Sequence, residues 1–507
     1  MSDNLFKIVR ERVPSTTFIE TPDGREITSA DAIERSGHIA NALVKRGVVP
    51  GDRVAAQVEK SADAIMLYLA CLRAGAVYLP LNIGYTLAEL EYYIGDAEPR
   101  VVVCAPERHV ALAPVATKLG VAAVETLGTH QDGTILDLAK SQSSDFKDVP
   151  RAADDLAAIL YTSGTTGRSK GAMLTHRNLA SNAQALLETW RFTSKDVLLH
   201  ALPIFHTHGL FVATNLVLLS GASMIFMPKF DADEIFRFMP RATTMMGVPT
   251  FYVRLLQDKR LNPETTKHMR MFIAGSAPLL AETHREWKAA TGHAILERYG
   301  MTETNMLTSN PYDGERVPGS VGFPLPGVEL RIADSETGKL LPDGDVGMIE
   351  VKGPNVFKGY WRMPDKTKAE FRGDGFFITG DLGKIGPNRY VYIVGRAKDL
   401  VISGGHNVYP KEVETELDAV PGVIESAVIG VPHKDFGEGV TAVIVKQVGA
   451  ALDERGVQKA LDGRLAKFKL PKAVMFVDAL PRNTMGKVLK NELRERYKDI
   501  YSLNKTG

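Results

Sequence analysis

As far as about residue 330, short apolar runs alternate with longer segments whose apolar positions recur with helical spacing, the pattern of buried strands interleaved with helices. The runs 76–80, 101–103, 156–160 and 272–274 read as strands; 29–46 and 62–74 read as helices closed by Gly47 and Gly75. Such alternation predicts an α/β fold with stacked βα units and largely parallel sheets. Residues 328–351 read differently, as strands joined by Asp343-Gly344-Asp345 and Gly347, a small β-rich subdomain. The most apolar long run, 210–227, is interrupted by Asn215, Ser220, Gly221 and Ser223, so it reads as a buried helix turning into a strand rather than a membrane span.

Composition narrows the class. A chain of 507 residues is too long for one ordinary core, and 44% hydrophobic with 24% charged residues is a globular balance without signs of disorder. Lys plus Arg number 61 against 60 Asp plus Glu, so the basic excess of a nucleic-acid binder is missing. Two cysteines, Cys71 and Cys104, cannot form a disulfide framework and suit a reducing compartment. Charges stand in the first seven residues where a secretion signal has its apolar stretch. The expectation is a cytoplasmic protein with small-molecule partners, no nucleic acid and no membrane.

Chemistry concentrates between the strand-like run 156–160 and residues 173–179, which read as the start of a helix. The intervening Tyr161-Thr162-Ser163-Gly164-Thr165-Thr166-Gly167-Arg168-Ser169-Lys170-Gly171 offers glycines for close backbone approach, hydroxyls and a lysine, the ingredients of a phosphate-holding loop. Gly167 is followed by Arg-Ser-Lys, so the P-loop pattern is not met. Composition alone would equally allow a solvated turn. The whole stretch, however, closely resembles the nucleotide signature of the adenylate-forming superfamily of acyl-CoA synthetases, luciferases and peptide-synthetase adenylation domains.

That resemblance implies two half-reactions, acyl-adenylate formation from ATP and transfer of the acyl group to a thiol. It implies ATP contacts at Thr162, Ser163, Gly164, Thr165, Thr166, Gly167 and Lys170, with Thr165 near Mg²⁺. The turn Gly275-Ser276-Ala277 would lie against adenine. In Glu297-Arg298-Tyr299-Gly300-Met301-Thr302-Glu303, Glu297, Tyr299, Gly300 and Met301 would line the nucleotide, Tyr299 by stacking, while Thr302 would touch the α-phosphate. Glu303 would help hold Mg²⁺, which the crowding of phosphate charge demands; read from its residues alone, it is also a candidate helix-cap partner.

Three histidines crowd the turn His200-Ala201-Leu202-Pro203-Ile204-Phe205-His206-Thr207-His208, with no carboxylate or cysteine at zinc-ligand spacing. Resemblance makes His206 a gate beside the substrate carboxylate and leaves His200 and His208 structural. Arg254 is the odd cation of the segment 246–256, and spacing alone leaves it either solvent-facing or aimed at a substrate's second carboxylate. The segments 203–209, 248–254, 274–279 and 299–306 are similar to those of malonyl-CoA synthetases. On that resemblance Arg254 and Ser276 would bind the distal carboxylate, His206 would lie near the acyl end, and Thr207 and Met306 would limit space around C2.

Further along, Gly380-Asp381 matches the family's ribose-binding aspartate and Arg396 its ribose and phosphate contact. Lys398 occupies the hinge position, and Ser403, Gly404 and Gly405 the pantetheine side. Lys487, in Pro481-Arg482-Asn483-Thr484-Met485-Gly486-Lys487, matches the catalytic lysine. The implied organisation is a large AMP- and acyl-binding part over 1–395, a hinge at 396–399, and a small mobile α+β domain over 400–507, of a size to form its own core. Rotation about Lys398 would exchange Lys487 for Gly404 and Gly405 at the reacting centre. A lysine acetyltransferase and deacetylase acting on Lys487 are implied as possible partners. The expected activity joins malonate, ATP and coenzyme A into malonyl-CoA, AMP and pyrophosphate, with methylmalonate, oxalate or an aryl acid as alternative substrates. A carrier-protein-loading module is the less expected alternative.

Overall fold

Helix Ser29–Lys45 starts where the Thr28 hydroxyl accepts from Asp31 N at 3.1 Å and the Asp31 carboxylate accepts from Thr28 N at 2.8 Å, a reciprocal cap that satisfies two orphan donors. Helix Ala62–Ala74 ends on Gly75, whose φ of 69° is the left-handed conformation that lets the chain leave the helix cheaply. Both were legible from their ends. The computed structural model describes residues 3–162, 169–404, 406–483 and 486–501.

The chain divides into two compact units, Met1–Glu329 with Val351–Phe377, and Leu330–Glu350 with Ile378–Gly507. The first holds a nine-stranded and a seven-stranded sheet. In the nine-stranded sheet Val197–His200, Ser223–Phe226, Thr244–Gly247, Met271–Ala274 and Leu296–Met301 run parallel, and their register sets His200 beside Phe226 and Met246, Gly247 beside Ala274, and Ala274 beside Glu297. Parallel strands bring their carboxyl ends to one edge, where open α/β sheets bind ligands. On that edge lie the loop holding His206, helix Pro249–Leu256, the turn at Ser276 and the turn at Glu303. Beneath them Trp287 packs edge-on against Tyr252 and Phe272, with ring centroids 5.0 and 4.9 Å apart. Truncating such a buried ring costs about 3–5 kcal/mol.

One expectation shifts: of residues 173–179, read as a helix start, 173–175 belong to strand Lys170–Thr175, antiparallel to Leu156–Thr162, and helix His176–Trp190 begins after the Thr175 cap. Residues 330–350 and 378–395 pack with the C-terminal part, and the segment 396–399 lies within that second unit. The unit carries a four-stranded sheet, including Phe377–Ile385 paired with Val391–Arg396, and a five-stranded sheet built on Val423–His433 and Gly437–Lys446.

Candidate active site

The hairpin register pairs Tyr161 with Gly171 and Thr162 with Lys170, so the two strands bring the ends of the phosphate-loop motif together. Ser163, Gly164, Thr165, Thr166 and Gly167 lie outside the described residues. Beside the hairpin, Glu303 is buried in the turn between strands Leu296–Met301 and Asn305–Ser309, not at a helix entry. Its Oε1 is 3.4 Å from Thr162 Oγ1 and 3.0 Å from the Tyr360 hydroxyl, which also lies 2.6 Å from Glu370 Oε2. Lys170 Nζ is 3.1 Å from Glu370 Oε1 and lies over the Tyr360 ring. Burial raises the pKa of the Glu303 carboxyl, with Tyr360 and Lys170 pulling the other way. No cluster of three or more His, Cys, Asp or Glu suited to a metal occurs among the described residues. A single buried carboxyl fits an ion whose remaining ligands are phosphate oxygens and water, the usual habit of Mg²⁺.

Glu297, Tyr299, Gly300 and Met301 all sit on Leu296–Met301, with Thr302 following. Glu297 Oε1 accepts from Leu279 N at 3.1 Å, which anchors the segment after Ser276 and Ala277. Between Glu297 and Tyr299, on the opposite face of the strand, lies a residue that sequence reasoning missed. Arg298 is 3% exposed, and its Nε and Nη2 have no hydrogen-bond partner among the described residues. Burial lowers its pKa to about 9, an indication of how poorly the guanidinium is solvated. A charge stranded in this way costs about 3–5 kcal/mol relative to a paired one. A guanidinium has donors only, so an anion is its natural complement.

The neighbours of Arg298 are substrate candidates. Ser276, at a φ of 72°, sets its Oγ 3.1 Å from His208 Nδ1. His208 is fully buried and its Nε2 is unpartnered among the described residues. Burial and the charge of Arg298 hold it well below the ordinary histidine pKa, hence neutral. Read as merely structural, His208 instead belongs with Ser276. Thr207 donates to Asn305 Oδ1 at 2.7 Å, next to the buried Met306, which pairs across the hairpin with Gly300. His206 is half-buried on the same loop. Arg254 is exposed on its helix, its guanidinium 5.8 Å from the Phe230 ring centre, whereas Arg298, beside the turn at Gly275, is buried.

In the second unit Asp381 and Arg396 are cross-strand partners, with Arg396 Nε 3.1 Å from Asp381 Oδ1. Gly380, at φ 74°, turns the chain just before Asp381, and Asp381 N donates to Thr379 Oγ1. Lys487 is in the same unit. Burial lowers its pKa to about 8, helped by the charges of Arg396 and Lys398 and opposed by Asp381 and Asp399. Its loop is tied down from both sides: Lys487 N donates to Asn483 Oδ1 at 2.9 Å, Arg482 is paired with Glu425, and Lys490 Nζ lies 2.5 Å from Glu414 Oε1. Lys398 lies in the single helical turn Ala397–Asp399. Ser403 is buried with its Oγ unpartnered among the described residues. Gly404, at φ 59°, turns between strands Val401–Ser403 and His406–Val408, and a Cβ there would stand 3.2 Å from Phe436; Gly405 lies outside the described residues.

Residues 6–361 match the AMP-binding enzyme family, and residues 412–487 match the AMP-binding enzyme C-terminal domain. The mitochondrial malonate–CoA ligase of Mus musculus is 36% identical over 89% of this chain and 82% of its own. A feruloyl-CoA synthase of Amycolatopsis is 37% identical over 94% of each chain. The solved structure of ATP-bound MatB from Rhodopseudomonas palustris is 66% identical, covers 99% of this chain and all of its own, and superposes with a TM-score of 0.97. The first match alone spans well over half of the chain, the relatives cover most of it, and the chain belongs to the AMP-binding enzyme family.

Proposed function

We propose that this protein is a malonate–CoA ligase: it joins malonate to ATP as malonyl-adenylate, releasing pyrophosphate, and then passes the malonyl group to coenzyme A, releasing AMP. The carrying observation is Arg298. A buried guanidinium with two donors unpartnered among the described residues, beside Ser276 and His208, suits an acid that brings a second carboxylate. An aryl acid would leave that charge unpaired at a cost of about 3–5 kcal/mol, which sets feruloyl-type substrates aside. Thr207 and Met306 bound the space at C2, and Arg254 takes at most an outer role at the mouth.

In the first half-reaction one malonate carboxylate oxygen bonds to the α-phosphorus while the bond to the bridging oxygen of pyrophosphate breaks. Thr162 and Lys170 stand at the ends of the phosphate loop, and Glu303 would hold a magnesium ion that neutralises triphosphate charge. Asp381 accepts from ribose hydroxyls and Arg396 supports the ribose and phosphate end. Lys487 carries positive charge to the developing oxyanion. A cation at ~4 Å is worth about 4 kcal/mol at an effective dielectric near 20, or about three powers of ten in rate. In the second half-reaction the thiol sulfur bonds to the acyl carbon, AMP leaves, and the thiol proton goes to solvent. A turn about Lys398, the hinge position the resemblance implies, would then bring Gly404 and Gly405 to the pantetheine in place of Lys487.

Two further assignments belong to this reading. Lys487 is the residue whose acetylation by a lysine acetyltransferase, reversed by a deacetylase, would silence the first step, since it removes the charge. The cytoplasm is its place, where buried reduced thiols such as Cys71 and Cys104 are stable; no helix among the described residues is long and apolar enough to cross a membrane.

The test is a panel of short mono- and dicarboxylates scored for AMP release with and without coenzyme A. Malonate should stand out, and AMP release should turn over freely only when coenzyme A is present. Release of ADP and inorganic phosphate, or indifference to dicarboxylates, would refute the assignment.

A further inference from the structure

Lys60 is buried, 8% exposed, in a place where no part of the proposed reaction calls for a cation. No carboxylate among the described residues is paired with it. Its Nζ lies 2.9 Å from His200 Nδ1, 2.8 Å from the His200 carbonyl oxygen and 4.3 Å from the centre of the Phe226 ring. Those contacts fix the imidazole's tautomer without recourse to pH. The Gly209 carbonyl, 2.9 Å from Nε2, can only accept, so Nε2 carries the proton, and Nδ1 of the neutral ring then accepts from the Lys60 amine. Burial, followed by the charge of Lys60, lowers the His200 pKa well below its ordinary value, in agreement with a neutral ring.

The imidazole thereby ties together the two ends of one loop. His200 closes strand Val197–His200, and Gly209 lies in the first turn of the wide helix His208–Ala213. Between them the chain carries His206, Thr207 and His208. The Gly209 carbonyl also accepts from Thr214 Oγ1 at 3.1 Å, and the His200 carbonyl also accepts from Met227 N at 3.0 Å. A Cβ on Gly209 would stand 2.2 Å from the Pro203 carbonyl oxygen, so the loop closes on itself with no slack. Hydrophobic packing alone would fill this space more cheaply, because a buried ammonium pays a desolvation cost that an apolar side chain of similar length does not. What a lysine adds is direction: it fixes the rotation of His200 and so the position of Gly209.

We propose that Lys60 is a positioning residue that sets the specificity of the acid pocket by holding the His200 ring, and through it the loop 201–209, where Thr207 meets Asn305 and His208 meets Ser276. The proposal rests on reading that loop as acid-binding. Displacing such a loop by about 1 Å costs up to about a hundredfold in the affected parameter. The variants are Lys60→Met, which keeps the length and loses every donor, Lys60→Gln, which keeps a donor, and His200→Phe. In Lys60→Met the KM for malonate should rise by about tenfold or more, the preference for malonate over methylmalonate should shrink, and the KM for ATP should stay within about twofold. Amide exchange at 206–211 should speed up in the free protein, Lys60→Gln should recover most of each effect, and His200→Phe should add nothing to Lys60→Met. A general folding role would move both KM values together and leave the substrate preference alone, and that result would overturn the proposal, as would strictly additive effects or unchanged exchange at 206–211. If Lys60→Met does not fold, Lys60→Gln and His200→Phe decide the matter through the same preference and exchange readings. A wild-type protein that ignores malonate refutes the acid assignment alone, and the exchange measurement still judges the loop lock.

Discussion

Gly275 and Arg298 fill one another's space: a Cβ built on Gly275 would lie 2.3 Å from Cζ of Arg298 and 2.4 Å from its Nη1. The glycine is therefore the wall against which the guanidinium rests, in the turn that leads to Ser276. Gly275→Ala forces the guanidinium aside. We expect kcat/KM for malonate to fall by about a hundredfold, with a much smaller change for a monocarboxylate of the same length. Initial rates of AMP release for the two acids would show it.

The two arginines make opposite predictions. Arg298→Met replaces a buried charge with a chain of similar volume, which relieves its desolvation and removes the anion's partner. Malonate activation should be lost by about two to three powers of ten, while thermal stability holds or rises. Arg254→Ala removes an exposed residue and should change malonate kcat/KM by less than about fivefold, in keeping with surface cations. Loss of malonate use in Arg254→Ala with retention in Arg298→Met would reverse the assignment of the buried anion site.

Tyr360 shares its hydroxyl between Glu303 and Glu370, at 3.0 and 2.6 Å. A phenol has one proton, so only one of the two carboxylates receives it at a time, and the other is held by Lys170 or by the nucleotide's ion. Tyr360→Phe frees the Glu303 carboxyl to turn away from Thr162. The Mg²⁺ concentration for half-maximal rate should rise about ten- to a hundredfold, the usual penalty for losing a group that orients a metal ligand. Titration calorimetry of Mg²⁺ into the protein with a non-hydrolysable ATP analogue would show the same loss of affinity. An unchanged Mg²⁺ requirement would leave Glu303 without a role at the metal.

Local signals in the sequence carried much of this. Gly47 and Gly75, each after a helical run, mark helix ends because capping is decided within a few residues. The strand Lys170–Thr175 was missed because its pairing with Leu156–Thr162 is tertiary, whereas the helix that follows it was read three residues early. Arg298 stayed hidden inside a nucleotide motif. The period-two alternation of Glu297, Arg298 and Tyr299 was available and places Arg298 on the opposite face, yet burial on that face is set by residues from other strands. Lys60 could not be read at all, since its partner lies 140 residues away. The boundary read near 395 followed motifs; packing groups the strands on either side of 396–399 in one unit.

Lys487 offers the sharpest test of the two-step chemistry. Burial and the charges of Arg396 and Lys398 bring its pKa to about 8, so the charged form is the one disfavoured. It is a cation below pH 8 and loses that charge as pH rises through this value, which means a fall in kcat/KM for ATP on the alkaline side, because that parameter reports the free enzyme. Lys487→Arg keeps its charge throughout, so its profile should be flat over the same range at lower amplitude. Lys487→Ala should slow adenylation by about three powers of ten and leave thioester formation from supplied malonyl-adenylate within about threefold of wild type. Acetylated Lys487 should behave like the alanine variant. Single-turnover assays of each half-reaction separate these outcomes, and equal slowing of both steps in Lys487→Ala would mean that the lysine does not leave the reacting centre between them.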